Sequence, residues 1–176
     1  MTRFRTGTFL LTALFALAAP ASAATPEKEH AAIGGGFGLY APFESDYKLG
    51  FTIQGSLDYY FARRFAGRAT AGYARSSSKS FDNPSASTGY VLASGVYNWE
   101  MEKIHPYALV GIGLYAVSPA YGGTTARVGA HAGGGVEFFL DRRTAITGEG
   151  VLHFLGSVSD QKQGFFALNA GVRYFF

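Results

Sequence analysis

The chain has 176 residues, enough for one domain, and it contains no cysteine, which excludes disulfides and thiol catalysis. Its formal net charge of +3 falls to +1 when residues 1–23 are set aside, since 15 − 2 = 13 basic residues then face 12 acidic ones, which argues against nucleic acid as a partner. Hydrophobic residues make up 48% and glycine occurs 24 times, yet no stretch after residue 23 approaches the length of an apolar transmembrane helix.

The first 23 residues have the features of an export signal. Arg3 and Arg5 form a basic start, a largely apolar run extends from Phe9 to Ala19, and small residues at 21–23 offer a cleavage site. The sequence therefore predicts a signal peptide at residues 1–23 and an exported domain at 24–176. The alternative is an uncleaved anchor, but the apolar run is shorter than the roughly 20 residues that cross a bilayer.

From residue 31 onward, apolar residues recur at every second position. In GFTIQGSLDYYF, for example, Phe51, Ile53 and Leu57 share one face, while Gln54 and Asp58 lie on the other. This period is typical of β-strands. Eight such segments can be distinguished, at about 31–41, 50–62, 65–75, 89–100, 106–117, 126–140, 144–156 and 165–176.

The apolar face of these segments is expected to be free of charge, from Ile33 to Phe176. A soluble sandwich or a secreted lipocalin-like barrel needs a wet exterior, so a face of this kind indicates lipid outside. Sheet edges cannot remain unpaired in lipid, and eight strands make a small closed barrel. The sequence therefore predicts an all-β fold, an eight-stranded antiparallel up-and-down transmembrane β-barrel.

The connections between the segments alternate in length. Long polar stretches such as SSSKSFDNPSAS and SPAYGGTTA alternate with the shorter ARR, EMEKIH and DRRT. Outer-membrane barrels have short periplasmic turns and longer outside loops. Both chain ends should then lie on the periplasmic side, and the final segment should close the barrel against the first.

Three stretches carry a resemblance to a known family: PYALVGIGLY at 106–115, GGGVEFFL at 133–140, and the terminal GVRYFF. With the alternating strands, they make residues 24–176 similar to the bacterial outer-membrane β-barrel family, of the small eight-stranded OmpA/OmpX type. The resemblance implies localisation in the cell outer membrane with membrane lipid around it. It also implies that Val172, Tyr174 and Phe176 form a signal read by the outer-membrane insertion machinery.

Five charged residues fall on the inward face and are predicted to form an interior network. Asp58 and Arg68 flank the ARR turn, Glu137 and Glu149 flank the DRRT turn, and Arg173 is expected beside Glu149. Unpaired charge away from water is unfavourable, so mutual pairing that plugs a narrow lumen is the favoured interpretation. The alternatives are acid–base catalysis by two close carboxylates, or a gate in a pore.

His131 and His153 also face inward and are predicted to lie opposite each other as interior polar residues, with His105 in a periplasmic turn. A typical metal site needs three or four ligands, and no third ligand is evident, so neither a metal nor a cofactor is predicted. Small barrels that modify lipid A are similar in fold but use a His–Ser pair with an acidic partner, or a His–Asp–Ser set. No His-x-Ser spacing occurs here, so an enzyme is not expected.

The inward glycines permit two interpretations, a water-filled path or relief of crowding in a tight barrel. They are Gly34, Gly36, Gly38, Gly111, Gly113, Gly129, Gly133 and Gly135. The sequence therefore favours a structural or surface-interaction role with a polar, largely plugged interior, and with an extracellular ligand at the outer loops as a candidate partner. A narrow channel for small solutes is the alternative, and a lipid A-modifying enzyme ranks third.

Overall fold

The computed structural model describes residues 30–43, 47–77, 85–99, 101, 104–119, 123–156 and 163–176, so the predicted signal peptide lies outside the described residues. Within these ranges the chain forms eight strands. They are β1 (Ala31–Pro42), β2 (Gly50–Ala62), β3 (Phe65–Ser77), β4 (Ser85–Asn98), β5 (Ile104–Ser118), β6 (Thr125–Phe139), β7 (Thr144–Leu155) and β8 (Gln163–Phe175).

Each strand pairs antiparallel with its neighbours in the chain, and the sheet closes because β8 also pairs with β1. The closing pair runs from Ala32 opposite Phe175 to Pro42 opposite Phe165. The predicted fold class and the predicted closing strand are both confirmed. None of the described residues forms a helix long and apolar enough to cross a membrane.

Alternation places large apolar side chains on the outside of the barrel. Phe37 is 73% exposed and Val110 is 65% exposed, whereas inward Thr52 is buried. A soluble protein rarely exposes so much contiguous apolar surface, but lipid accepts it. Arg75 departs from the expected uncharged face: it lies outward near the loop end of β3, where its Nη2 donates to Ser85 Oγ at 2.8 Å.

The three residues of the predicted insertion signal lie on the outward face of β8 and at its end. Val172, Tyr174 and Phe176 are all exposed, and the rings of Tyr174 and Phe176 are 5.7 Å apart. Similar aromatic contacts, Phe65 with Tyr97 at 5.1 Å among them, lie at the same end of the barrel. Such a girdle is typical of the bilayer interface.

Several strand boundaries differ from the sequence-based expectation, most of them by one or two residues. β4 begins at Ser85, four residues before the expected start, and β5 begins at Ile104. His105 was expected in a periplasmic turn, and that prediction is wrong: it lies in β5, buried and opposite Glu137. Pairing with β6 already begins at Ile104 opposite Phe138, so the alternation of the strand turns His105 inward.

The turn between β6 and β7 is organised by Asp141. Its Oδ1 accepts the backbone N–H of Arg143 at 2.7 Å and that of Thr144 at 2.8 Å. Local bonding of this kind by a short acidic side chain is common in tight turns. The bond from the Arg143 N–H, with those from Thr144, holds the pKa of Asp141 below its usual value.

Replacing Asp141 by Ala should therefore destabilise the barrel at neutral pH. Because the folded carboxyl has the lower pKa, its contribution is present above the unfolded pKa and is lost as pH falls through the folded pKa. The gap between the urea midpoints of the wild type and Asp141→Ala should narrow on acidification. An equal gap at neutral and acidic pH would contradict the role of the ionised carboxylate.

Candidate functional site in the barrel interior

The five predicted charged residues lie together inside the barrel as a chain of alternating charge. Arg68 Nε donates to Asp58 Oδ1, and Arg68 Nη1 donates to Glu149 Oε2 at 2.5 Å. Arg173 Nη1 donates to Glu137 Oε1, and Arg173 Nε lies 3.2 Å from Asp58 Oδ2. The order is therefore Glu149–Arg68–Asp58–Arg173–Glu137. We call these five residues the charge chain.

Strand pairing positions part of the charge chain, and the remaining contacts are made across the lumen. Asp58 and Arg68 are direct cross-strand partners in β2 and β3. Glu149 comes from β7, so the Arg68–Glu149 bond crosses the lumen. Arg173 was expected beside Glu149, but the ion pairs described for it are with Glu137 and Asp58.

Two uncharged residues complete the surroundings of Glu149. Tyr107 Oη donates to Glu149 Oε2 at 2.8 Å, and Gln54 Nε2 donates to Oε1 at 2.9 Å. The guanidinium carbons of Arg68 and Arg173 lie 4.9 and 5.6 Å from the centroid of the Tyr107 ring. Sequence reasoning missed Tyr107 as part of this site, although its inward position in β5 was the available signal.

The two inward histidines are direct cross-strand partners in β6 and β7, with ring centroids 5.8 Å apart. His131 Nε2 lies 2.7 Å from Ser94 Oγ, and His153 Nδ1 lies 3.0 Å from Tyr115 Oη. The ring of Phe165 stacks on His153 at 4.1 Å. No group of three or more His, Asp or Glu side chains among the described residues is placed to hold a metal ion.

The contact between Ser94 and His131 was not foreseen, because it joins β4 and β6 across β5. Gly111 stands between them, paired with both residues. A hydroxyl on an imidazole nitrogen is the arrangement of a nucleophile with its base. Here, however, Ser94 is 9% exposed and His131 1% exposed, and both face the lumen rather than the lipid.

Apolar and aromatic side chains occupy the lumen on either side of the polar groups. Toward the end that carries the short turns, Tyr60, Phe139 and Phe175 form part of one buried cluster. Toward the other end lies a second cluster, which contains Tyr40, Tyr90, Leu92, Tyr115, Leu155 and Phe165. The interior is therefore layered, with charge and histidine groups adjoining two apolar layers.

The inward glycines lie where neighbouring atoms leave no room for a side chain. At each of the eight predicted positions, an added Cβ would come within 3.0 Å of another atom. Gly135 is covered by the Tyr107 hydroxyl, at 2.6 Å from that Cβ position, and Gly72 by the Tyr90 ring, at 2.3 Å. At outward Gly67, by contrast, nothing lies within 4 Å. This geometry favours relief of crowding.

Comparison with known proteins agrees with this architecture. The family model described as outer membrane protein beta-barrel domain matches residues 9–176. No curated protein matches the chain.

Solved structures similar to this chain include three of different character. Neisserial surface protein A aligns with a TM-score of 0.68 at 18% identity, covering 83% of this chain and 97% of the other. Ail, the attachment invasion locus protein of Yersinia pestis, in complex with a heparin analogue, aligns with a TM-score of 0.52 at 20% identity. That alignment covers 84% of this chain and 99% of Ail. The outer membrane enzyme PagL aligns with a TM-score of 0.52 at 15% identity, covering 81% of this chain and 98% of PagL. At these identities the likeness concerns the fold alone.

Replacing Gly111 by Ala tests the crowding interpretation. The new Cβ would lie 2.0 Å from the Ala93 carbonyl oxygen and 2.8 Å from His131 Cε1, so overpacking should destabilise the barrel by about 1–3 kcal/mol. The matched control is Gly67→Ala, which should be neutral or slightly stabilising. Urea unfolding of the two variants gives the comparison. Equal stability of both would contradict the interpretation.

Replacing Arg173 by Leu should cost about 3–5 kcal/mol of unfolding free energy, because buried Asp58 and Glu137 lose an ion-pair partner. The control is the double variant Arg173→Leu with Glu137→Gln, which removes one of the stranded charges and should recover part of the loss. Unfolding in urea, followed by fluorescence, measures both. An unchanged midpoint in Arg173→Leu would show that the charge chain does not stabilise the barrel.

Proposed function

Since the chain belongs to the outer membrane protein beta-barrel domain family, we propose a structural or surface-interaction role with a largely plugged interior. The chain lies in the outer membrane, where lipid covers the outward face of its strands.

The charge chain is the main observation in support of a plugged interior. Its ion pairs connect side chains from β2, β3, β6, β7 and β8, so they bridge the lumen rather than line one wall. All five residues are buried. Separating one of these pairs would leave a charge without a partner in a site away from water, which is strongly unfavourable. A solute would have to break these pairs to pass.

The two apolar clusters support the same proposal. Tyr60, Phe139 and Phe175 fill the lumen on one side of the charge chain, and Tyr90, Tyr115 and Phe165 fill it beyond the histidines. Their rings touch, as with Phe139 and Phe175 at 5.2 Å. Interiors packed in this way leave few voids larger than a water molecule.

A narrow channel remains the second candidate because one polar cavity lies beside the charge chain. It measures about 20 Å³, and its lining includes Gln54, Ser56, Glu149, Asn169 and Arg173. This is room for about one water molecule. A water path would have to extend from this cavity past the ion pairs, with the charge chain as its gate.

An enzymatic role is not proposed. The Ser94–His131 pair resembles a nucleophile and its base, but it is enclosed by the barrel wall and by the second apolar cluster. A lipid substrate lies on the other side of that wall, and a catalytic group must come within hydrogen-bond reach of the atoms it acts on.

The surface role would be exercised at the outer loops, since binding residues commonly lie on loops held by a rigid scaffold. Similar barrels are described as a surface protein and as an attachment invasion locus protein. An extracellular ligand at the loops is the partner proposed here. Delivery to the membrane would depend on the insertion machinery reading Val172, Tyr174 and Phe176, which are exposed on the outward side.

Planar-bilayer conductance of the refolded protein tests the plug. The wild type should be silent, whereas Tyr107→Ala should open measurable conductance because it removes the ring beneath Arg68 and Arg173. The matched control is Tyr97→Ala on the opposite face of the wall, which should stay silent. Folding is verified first by the heat-dependent gel mobility of the barrel. Steady openings of the folded wild type would overturn the plug and favour the channel.

A further inference from the structure

The outer end of the lumen contains a second cavity of about 90 Å³. It lies above the second apolar cluster, with Tyr40, Leu155 and Phe165 common to both. Val117 and the strand-end Pro42 add to its wall, and none of the described residues that line it is charged. We call this cavity the mouth pocket.

An apolar wall is unexpected at this position. The outward face of the barrel meets lipid, but the inward face at the loop end of the strands meets water from outside the cell. Concave apolar surface that faces water is characteristic of ligand sites, which combine such walls with a few polar groups.

One polar group in the mouth pocket lacks a partner. Ser76 points inward from β3 and is 3% exposed, and its hydroxyl has no hydrogen-bond partner among the described residues. Buried hydroxyls are nearly always bonded, since an unsatisfied one costs about 1–3 kcal/mol. Ser76 lines the pocket together with its cross-strand partner Ala86, whose small side chain lies beside it.

We propose that the mouth pocket binds a small neutral molecule whose apolar end carries a single hydroxyl, of the size and character of a phenol. The aromatic floor formed by Tyr40 and Phe165, whose centroids are 4.8 Å apart, would contact the ring, and Ser76 Oγ would bond to the hydroxyl. A cavity of roughly 150 Å³ encloses benzene, so a pocket of about 90 Å³ holds one end of such a molecule.

This site adds a ligand to the surface role proposed above and does not rest on it. Binding at the mouth pocket is read at Leu155 and Val117, whether or not the barrel conducts. Failure of the ligand proposal is therefore distinguishable from failure of the plug.

The test uses phenol and toluene with the folded protein in lipid nanodiscs, followed by methyl resonances of leucine and valine. The methyl groups of Leu155 and Val117 should shift saturably with phenol. Those of lipid-facing Leu114, which is 64% exposed on the outside, should change only in proportion to phenol dissolved in the bilayer. Absence of a saturable shift at Leu155 and Val117 would overturn the proposal.

Two variants distinguish the contribution of the Ser76 hydroxyl to binding from that of the apolar wall. Ser76→Ala should weaken phenol binding roughly 3- to 10-fold and leave toluene binding unchanged. Ala86→Phe should abolish binding of both by filling the pocket. The matched control is Ser87→Ala on the same strand, at a position that does not line the pocket, and it should bind phenol as the wild type does. Unchanged phenol affinity in Ser76→Ala, or an equal loss in Ser87→Ala, would overturn the proposal.

Discussion

The structure depends on one constraint: a backbone N–H or C=O in lipid must find its partner within the protein. The pairing of β1 with β8 satisfies it by removing both sheet edges. Bonds beyond the ladder extend the seam at each end, from Phe43 N to the Gly164 carbonyl at 3.0 Å and from Phe176 N to the Ala31 carbonyl at 2.9 Å. A terminal aromatic residue, which would be a liability at an open edge, is here a paired part of the barrel wall.

Closure with only eight strands makes the lumen narrow, and this determines which inward residues can be neighbours. Large inward side chains lie over glycines: Tyr90 over Gly72, and Tyr107 over Gly135. Arg173 likewise lies opposite Gly34, where an added Cβ would be 3.4 Å from its Nε. The glycines thus let a narrow barrel hold bulky groups, and the same bulk occupies the space through which a solute would pass.

The outer face could be predicted from the sequence far better than the interior. Lipid contacts depend on one property, apolarity at every second residue, so the eight strands and their inward and outward faces followed from period two alone. Hairpin neighbours such as Asp58 and Arg68 also followed, because a short turn determines their pairing. The contacts across the lumen did not, since the Arg68–Glu149 pair and the Tyr107 ring depend on barrel curvature and side-chain reach.

The lipid face leaves one property of the barrel undetermined, the register of its strands. A slip of two residues keeps every apolar side chain outside, so alternation alone accepts several registers. The interior distinguishes them, because such a slip would move Asp58 to a diagonal position roughly 7–8 Å from Arg68 at Cα and would place the Tyr107 ring against a residue other than Gly135. An unpaired buried charge raises the free energy of the folded state, so a shifted register would be less stable wherever it separates members of the charge chain. We infer that the inward residues determine the strand register, while the outward residues determine that the barrel lies in lipid.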